Sequence, residues 1–361
     1  MLGGSWLLPR RLLAQPPTPA PASAPPVPAW IHVPRATGRL RAADLGLVIN
    51  TADPYSVQVG RFYAEARRLS REQVLELALP VRPSLSEAEF GVLSEAIHGR
   101  FGAAGQGPVQ ALALAWREPY AVGCHALTGA LALGLDDALC RHSCAPSRPS
   151  PYFNSASAQP ASDHGLRPSM LLAAPDVEAA IALVRRGVAA DATLGRRGAP
   201  PVVAHLAVTD DRARSARLRL YPPSGLLRRA GVRVRAGVQR PPAPDDRVLL
   251  YQTGAVRVEG LEQVRFVPGA LADHLTSFGG WLAGGRGQMS ALAWIKAGAT
   301  ASYGTVSEPC NHPQKFPHPQ VLLLHYLQGC TAIEAYWKSV AWPQQGLFIG
   351  EPLAAPFAAR P

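Results

Sequence analysis

Leu45-Gly46-Leu47-Val48-Ile49 is an uninterrupted apolar run bounded by Asp44 and Asn50. Its length and composition are those of a short buried strand. Past a turn at Asn50 to Pro54, Val59, Phe62, Tyr63 and Ala66 recur at helical spacing, and Arg67-Arg68 place cations at the negative end of the helix macrodipole. Val74 to Leu79 reads as a second strand. Ser86 and Glu89 form a capping box ahead of Phe90, Leu93 and Ile97, which share one helical face. Val109 to Ala115 is a third apolar run. A β-α-β-α-β order with short joins predicts an α/β fold, a mostly parallel sheet flanked by helices. In such sheets ligands gather at the carboxyl ends of the strands, here Asn50 to Ser56 and Trp116 to Tyr120.

Residues 140 to 168 hold no period, many Ser and Pro, and the cluster Ser150-Pro151-Tyr152-Phe153-Asn154, the signature of a long loop. Asp176 caps a helix through Ala180, Ile181 and Val184, and Val202 to Val208 resumes a strand. From Arg212 to Arg240 arginine alternates with apolar residues, as in Arg217-Leu218-Arg219-Leu220 and Arg233-Val234-Arg235, so half-exposed strands with arginine on the wet face are expected. Gln239 to Asp246, with its prolines, divides an N-terminal α/β half (41–240) from a C-terminal half (247–361) that carries the candidate site. There, Val248 to Tyr251 restarts the sheet. A helix is expected over Gly287 to Ala297, capped by Gly298, then a strand over Ala299 to Tyr303, a polar loop to Pro319, and two helices ending near Tyr326 and Val340. Gln345 to Pro352 reads as a closing strand and tight turn.

Residues 1–40 read as a disordered Pro-rich leader, because 16 to 29 are almost all Pro, Ala and Ser and supply nothing for a core. Met1 to Ala14 resembles a degraded export signal, its apolar run cut by Pro9-Arg10-Arg11. No stretch has the length and apolarity of a membrane span. The net charge of +11 is almost all arginine, lysine occurring only at 296, 315 and 338. With Tyr221 its single aromatic residue, the basic stretch fits a solvated face better than a nucleic-acid interface. Five cysteines leave at least one thiol free if the rest pair, and a bridge among Cys124, Cys140 and Cys144 is feasible in an oxidising compartment. Cys140-x-His142-x-Cys144 could be a metal hook, but a fourth ligand at zinc-like spacing is missing, so no metal is assigned. Neither a dinucleotide-binding glycine motif nor a Walker-type loop is present, so no cofactor is implied; Gly284-Gly285-Arg286-Gly287 is the nearest thing to an anion cradle.

Two clusters could carry chemistry. Asp273, His274, Thr276 and Ser277 place a carboxylate, an imidazole and two hydroxyls ahead of Gly279-Gly280. His274 would be the base and Ser277 the nucleophile or an anion-binding hydroxyl, with Asp273, Thr276, Gly279 and Gly280 as binding residues. Neighbouring strand residues face opposite sides, so Asp273 and His274 meet one ligand only if the strand has ended; a structural histidine is the competing reading. The second cluster is Glu308-Pro309-Cys310-Asn311-His312 with Lys315. Cys310 could pair with the distant His274, Glu308, Asn311 and Lys315 binding substrate, or it could be a buried thiol in a Pro-stiffened loop.

From Asp44 to Pro361 the chain resembles an uncharacterised bacterial family found in genomes that encode exosortase. The residues that carry the likeness are Leu47-Val48-Ile49-Asn50 with Asp53-Pro54 and Ser56, Ser150-Pro151-Tyr152-Phe153, Pro268-Gly269-Ala270 through Ser277-Phe278-Gly279-Gly280, Gly298 through Val306, and Glu308-Pro309. More distantly, Gly298-Ala299, Gly329 to Ala335 and Gly350-Glu351-Pro352 look like the ending of gingipain-type cysteine peptidases of the caspase-like fold, with Glu351 where they have Asp. By order of elements, the His-Gly of those peptidases falls near Gln252-Thr253-Gly254 and their nucleophilic Cys near Thr276-Ser277. Neither imidazole nor thiol stands there.

The resemblance thus implies an exported, periplasmic accessory or peptide-binding protein on a caspase-like scaffold without the Cys-His dyad, its partner a peptide or a surface protein, in cell-surface protein sorting or extracellular polymer systems. The alternative is a hydrolase with a rearranged site using His274 with Ser277 or Cys310. A plain cytoplasmic protein with neither activity is the third reading.

Overall fold

The computed structural model describes residues 29–196 and 198–359; Met1 to Ala14 and the following Pro-rich stretch to residue 28 lie outside them. The N-terminal part runs β1 (Leu45–Asn50), α1 (Pro54–Arg67), β2 (Val74–Leu77), β3 (Ser84–Leu85), α2 (Glu87–Phe101), β4 (Ala111–Leu114), β5 (Ala121–Val122), β6 (His125–Ala126), α3 (Leu127–Leu133), α4 (Asp137–Arg141), α5 (Pro160–His164), β7 (Ser169–Leu171) and α6 (Val177–Ala190). It continues with β8 (Val202–Ala207), β9 (Gly225–Leu227), β10 (Val232–Val238), β11 (Val248–Gly254), β12 (Phe266–Leu275), α7 (Leu292–Lys296), β13 (Ala301–Thr305), α8 (Pro319–Leu327), α9 (Ala332–Ser339) and β14 (Gly346–Gly350).

Local chemistry explains many boundaries. Asp53 and Asp176 accept from Tyr55 N and Ala179 N at the starts of α1 and α6, and the Ser86/Glu89 and Thr331/Glu334 capping boxes are both formed. Every residue of β1, β4 and β8 is buried, as strands covered on both faces must be.

Eleven strands form one sheet in the order β2-β1-β4-β7-β14-β13-β12-β11-β8-β10-β9, giving the α/β architecture with helices flanking a mostly parallel sheet. The strands β2, β1, β4, β7 and β14 run one way, and β13, β12, β11, β8 and β10 run the other; the reversal occurs at the antiparallel β13–β14 pair. The two blocks therefore aim their carboxyl ends at opposite edges. Residues 239–246 join β10 to β11, which lie in the same block of the sheet on either side of β8.

The turn after β14 ties the helical layer to the sheet. Glu351 is fully buried and takes a two-point pair from Arg67 of α1, at 2.7 and 3.0 Å, and a hydrogen bond from the Tyr63 hydroxyl at 2.8 Å. Gly187 of α6 is glycine for the same reason, since a Cβ there would lie 2.5 Å from the Glu351 carboxylate.

Three expectations are corrected. Residues 29–40 do not form a disordered leader but an extended strap on α8 and α9. Gln320 accepts from Ile31 N (2.9 Å) and donates to Ala29 O (3.2 Å), Gln328 accepts from Ala36 N (2.7 Å) and donates to Pro34 O (3.2 Å), and Leu40 N reaches Glu334 (3.1 Å). Arg217 to Leu220 is 3-10 helical rather than a strand, because Arg217 turns inward to a buried carboxylate. The helix expected from Gly287 is only the single turn of α7, since residues 285–290 form a bridge and turn that deliver Gln288 and Met289 to the strand ends. Arg233 and Arg235, by contrast, alternate with buried Val232 and Val234 in β10 as expected.

Candidate functional site

The carboxyl ends of the second block hold the first predicted cluster, Asp273 to Gly280. Gly254 of β11 is the register partner of Leu275 of β12, so Gly254 and Thr276 lie side by side where two neighbouring parallel strands finish. Both named peptidase positions fall on this edge.

The edge is covered by the chain's own segment 209–217. Thr209 donates its hydroxyl to Gly254 O at 2.6 Å, and Ser215 donates to Thr209 O at 3.1 Å. Arg214 donates through Nε to the Thr276 hydroxyl at 3.1 Å and through Nη1 to Asp211 at 2.6 Å. The Arg214 carbonyl packs so closely on Gly254 that a Cβ there would lie 1.9 Å from its oxygen. Thr276 in turn donates to Gln288 Oε1 at 2.6 Å, an oxygen that also accepts from Phe278 N at 2.9 Å.

β12 continues through Leu275, so Asp273 and His274 point to opposite faces of the sheet. Asp273 accepts from Arg217 Nη1 at 2.5 Å and from Gln252 Nε2 at 2.8 Å; Arg217 also donates to the Thr253 and Pro317 carbonyls. Burial pushes the Asp273 carboxyl up, against the pull of Arg217 and Gln252. On the other face His274 is fully buried. Its Nδ1 accepts from the Trp294 indole N–H at 2.9 Å, which leaves the proton on Nε2, and that nitrogen donates to Met289 O at 3.1 Å. Burial lowers its pKa to about 3, so the ring is neutral near pH 7. With both nitrogens engaged, His274 has the surroundings of a structural histidine rather than a poised base.

The half-buried Ser277 keeps its hydroxyl free of hydrogen bonds among the described residues, and its carbonyl accepts from Thr305 Oγ1 at 2.9 Å. Gly279 and Gly280 serve close backbone packing: a Cβ on Gly280 would lie 2.7 Å from Gly304 O, and one on Gly304 would lie 2.3 Å from the Gly279 carbonyl carbon. Arg286 of the glycine-rich turn stacks over Phe278 and Trp281 at 4.3 and 4.9 Å.

The second cluster forms a separate corner beyond β13. Cys310 is joined to Cys144 with Cα atoms 5.2 Å apart, so in this state it carries no thiolate. Glu308 Oε1 accepts from Cys310 N at 2.9 Å, and Lys315 is buried with Nζ on Ser143 O at 2.6 Å. Burial lowers the Lys315 pKa to about 8, with Glu308 opposing. Asn311 is exposed. The Cys140-His142-Cys144 hook is not assembled either, because Cys140 bridges Cys124 while Cys144 bridges Cys310; Cys330 is the buried free thiol.

Arg214, Arg217, Gln252 and Gln288 were not among the candidate site residues of the sequence; Arg217 was read as facing water, and Gln252 only marked the position where the peptidases have His-Gly. The arginines stood in an alternating pattern that reads as a wet face, and a lone glutamine carries no signal at all. Compared with profiles of known protein families the chain matches none, and it has no significant match among curated proteins.

Proposed function

We propose that this protein is an exported, non-catalytic binding scaffold of the caspase-like type, with an extended peptide or surface protein as its partner. The observation that carries this reading is the filling of the strand ends. Segment 209–217 occupies the place where such a hydrolase would hold its dyad, and Thr276, Asp273 and His274 are each committed to neighbours inside the fold. A base with no free nitrogen and a sulfur held in a bridge cannot form the hydrogen-bonded pair that nucleophilic catalysis requires.

The order of β11, β12 and β13, the α8–α9 pair and the Gly350-Glu351-Pro352 turn supports the gingipain-like scaffold. Two disulfides fit an oxidising compartment and hence export. Peptide binding is supported by the strap, since Gln320 and Gln328 hold residues 29–36 through the main chain alone, a mode that tolerates any side chain.

The test is labelling of the full chain with serine- and thiol-reactive acyl probes, comparing wild type with His274→Ala, Ser277→Ala and Cys310→Ala. No His274-dependent labelling is expected. Labelling at Ser277 or Cys310 that disappears in His274→Ala would establish the rearranged hydrolase instead.

A further inference from the structure

The Cys124–Cys140 bridge lies close to Cys144–Cys310, since Ser307 donates to the Cys124 carbonyl at 2.6 Å, and it has the imidazole of His125 beside it. His125 Nδ1 lies 3.7 Å from both Cys124 Sγ and Cys140 Sγ. The remaining ring nitrogen, Nε2, accepts the backbone N–H of Asp136 at 2.9 Å. A neutral imidazole that accepts at Nε2 must carry its proton on Nδ1, so an N–H is turned towards the two sulfurs. Burial lowers the His125 pKa, against a hydrogen bond to the Val122 backbone, which keeps the ring neutral; His125 is 2 % exposed, while Cys140 is exposed and Cys124 is half-buried. The same three atoms are close enough together to hold a metal once the sulfurs are reduced. Metal binding through Nδ1, however, would move the proton to Nε2, against the Asp136 N–H.

We propose that Cys124–Cys140 is an exchangeable disulfide that reacts with an external thiol, with His125 as a positioning residue for the leaving sulfur. A thiolate RS⁻ attacks the exposed Cys140 Sγ, the S–S bond breaks, and the electron pair leaves on Cys124 Sγ, where the Nδ1–H stabilises it. A second RS⁻ attacks the mixed disulfide at the sulfur of RS, releasing RSSR and the Cys140 thiolate. The two protons of the two RSH end on Cys124 and Cys140; the external thiols are oxidised and the bridge is reduced. Exchange of this kind speeds up when the leaving thiolate is stabilised. Cys144–Cys310 is the internal control, with Cys144 also exposed and Cys310 half-buried. Both bridges thus pair an exposed cysteine with a half-buried one, and this pattern by itself favours neither.

The experiment treats the full chain with graded glutathione and reads each bridge by differential alkylation and mass spectrometry. Cys124–Cys140 is expected to open about tenfold faster than Cys144–Cys310, a preference lost in His125→Phe and recovered in His125→Asn, whose amide restores an N–H donor. The Cys144–Cys310 rate should be the same in all three proteins, which reports that the fold is intact. Equal rates for the two bridges in the wild type would overturn the proposal whatever the variants do, as would a His125→Phe protein that keeps the full preference.

Discussion

Trp294 gives its indole N–H to Nδ1 of His274 at 2.9 Å, inside a cluster where the same indole meets Tyr251 edge-on with ring centroids 5.1 Å apart. The imidazole is thus held between a donor from α7 and the Met289 carbonyl. Trp294→Phe removes the donor and leaves Nδ1 buried without a partner, besides leaving space in the packing. It should destabilise the fold by at least about 2 kcal/mol. A denaturant midpoint unchanged from wild type would contradict a structural role for this pair.

Asp273 and Arg217 are both sealed from solvent, so removing one partner strands a charge. Arg217→Met is expected to cost about 3 to 5 kcal/mol, and the double variant Arg217→Met/Asp273→Leu to recover most of that loss. Equilibrium unfolding of the two singles and the double measures the coupling, and simple additivity would refute it.

Acid should weaken the protein through histidines kept neutral by burial. His274 and His325 are lowered from the ordinary 6.5 to about 3, and His318 to about 4. Below pH 6.5 the unfolded chain binds protons that the folded one refuses, so their contribution is complete above about pH 6.5 and is lost as pH falls towards 3 to 4. At pH 5 each such histidine should contribute about 2 kcal/mol less than at pH 7. Asp273 and Glu334, pushed up by burial, act in the opposite sense, so a single-histidine variant isolates the effect. His325→Gln, whose amide can keep the bond to Asn154, should show a shallower fall in Tm between pH 7 and pH 5 than wild type.

The strap can be released without touching the sheet. Ala36 N, at the peptide bond after the exposed Arg35, is held by Gln328. Trypsin should therefore cut after Arg35 about tenfold faster in Gln328→Leu, because cleavage follows the population of the locally opened state. Cleavage sites beyond residue 40 should keep their wild-type rates. An unaltered Arg35 rate would mean that the glutamine contacts do not hold the strap.

The layout of the first block was legible because every cue agreed: Leu45 to Ile49 is apolar throughout, Asp53 and Ser86 cap where capping residues should, and Val59 and Tyr63 fall on one buried face. The second block was less so. Arg217 and Arg233 stand in the same alternating pattern, yet one pairs with Asp273 inside the protein and the other faces water. That difference depends on a carboxylate 56 residues further along, which local period cannot see. At the site, residue types clustered in sequence as a reactive group would, but strand alternation sent Asp273 and His274 apart, and Cys310 found its partner 166 residues earlier in the chain. The strap was missed because residues 29–40, with a single proline but no strand or helix period, follow directly on a Pro-rich stretch; Gln320 of α8 and Gln328 just beyond it supply its partners instead.

The reversal of direction at β13–β14 has a consequence for synthesis. The link between the oppositely running blocks is β14, a strand near the end of the chain that must insert between β7 and β13. Until residue 350 is available, β7 and β13 both present unpaired edges, the kind of surface that recruits other chains. A chain synthesised only as far as β13 therefore stays open along its middle, and β14 acts as the bolt that closes it.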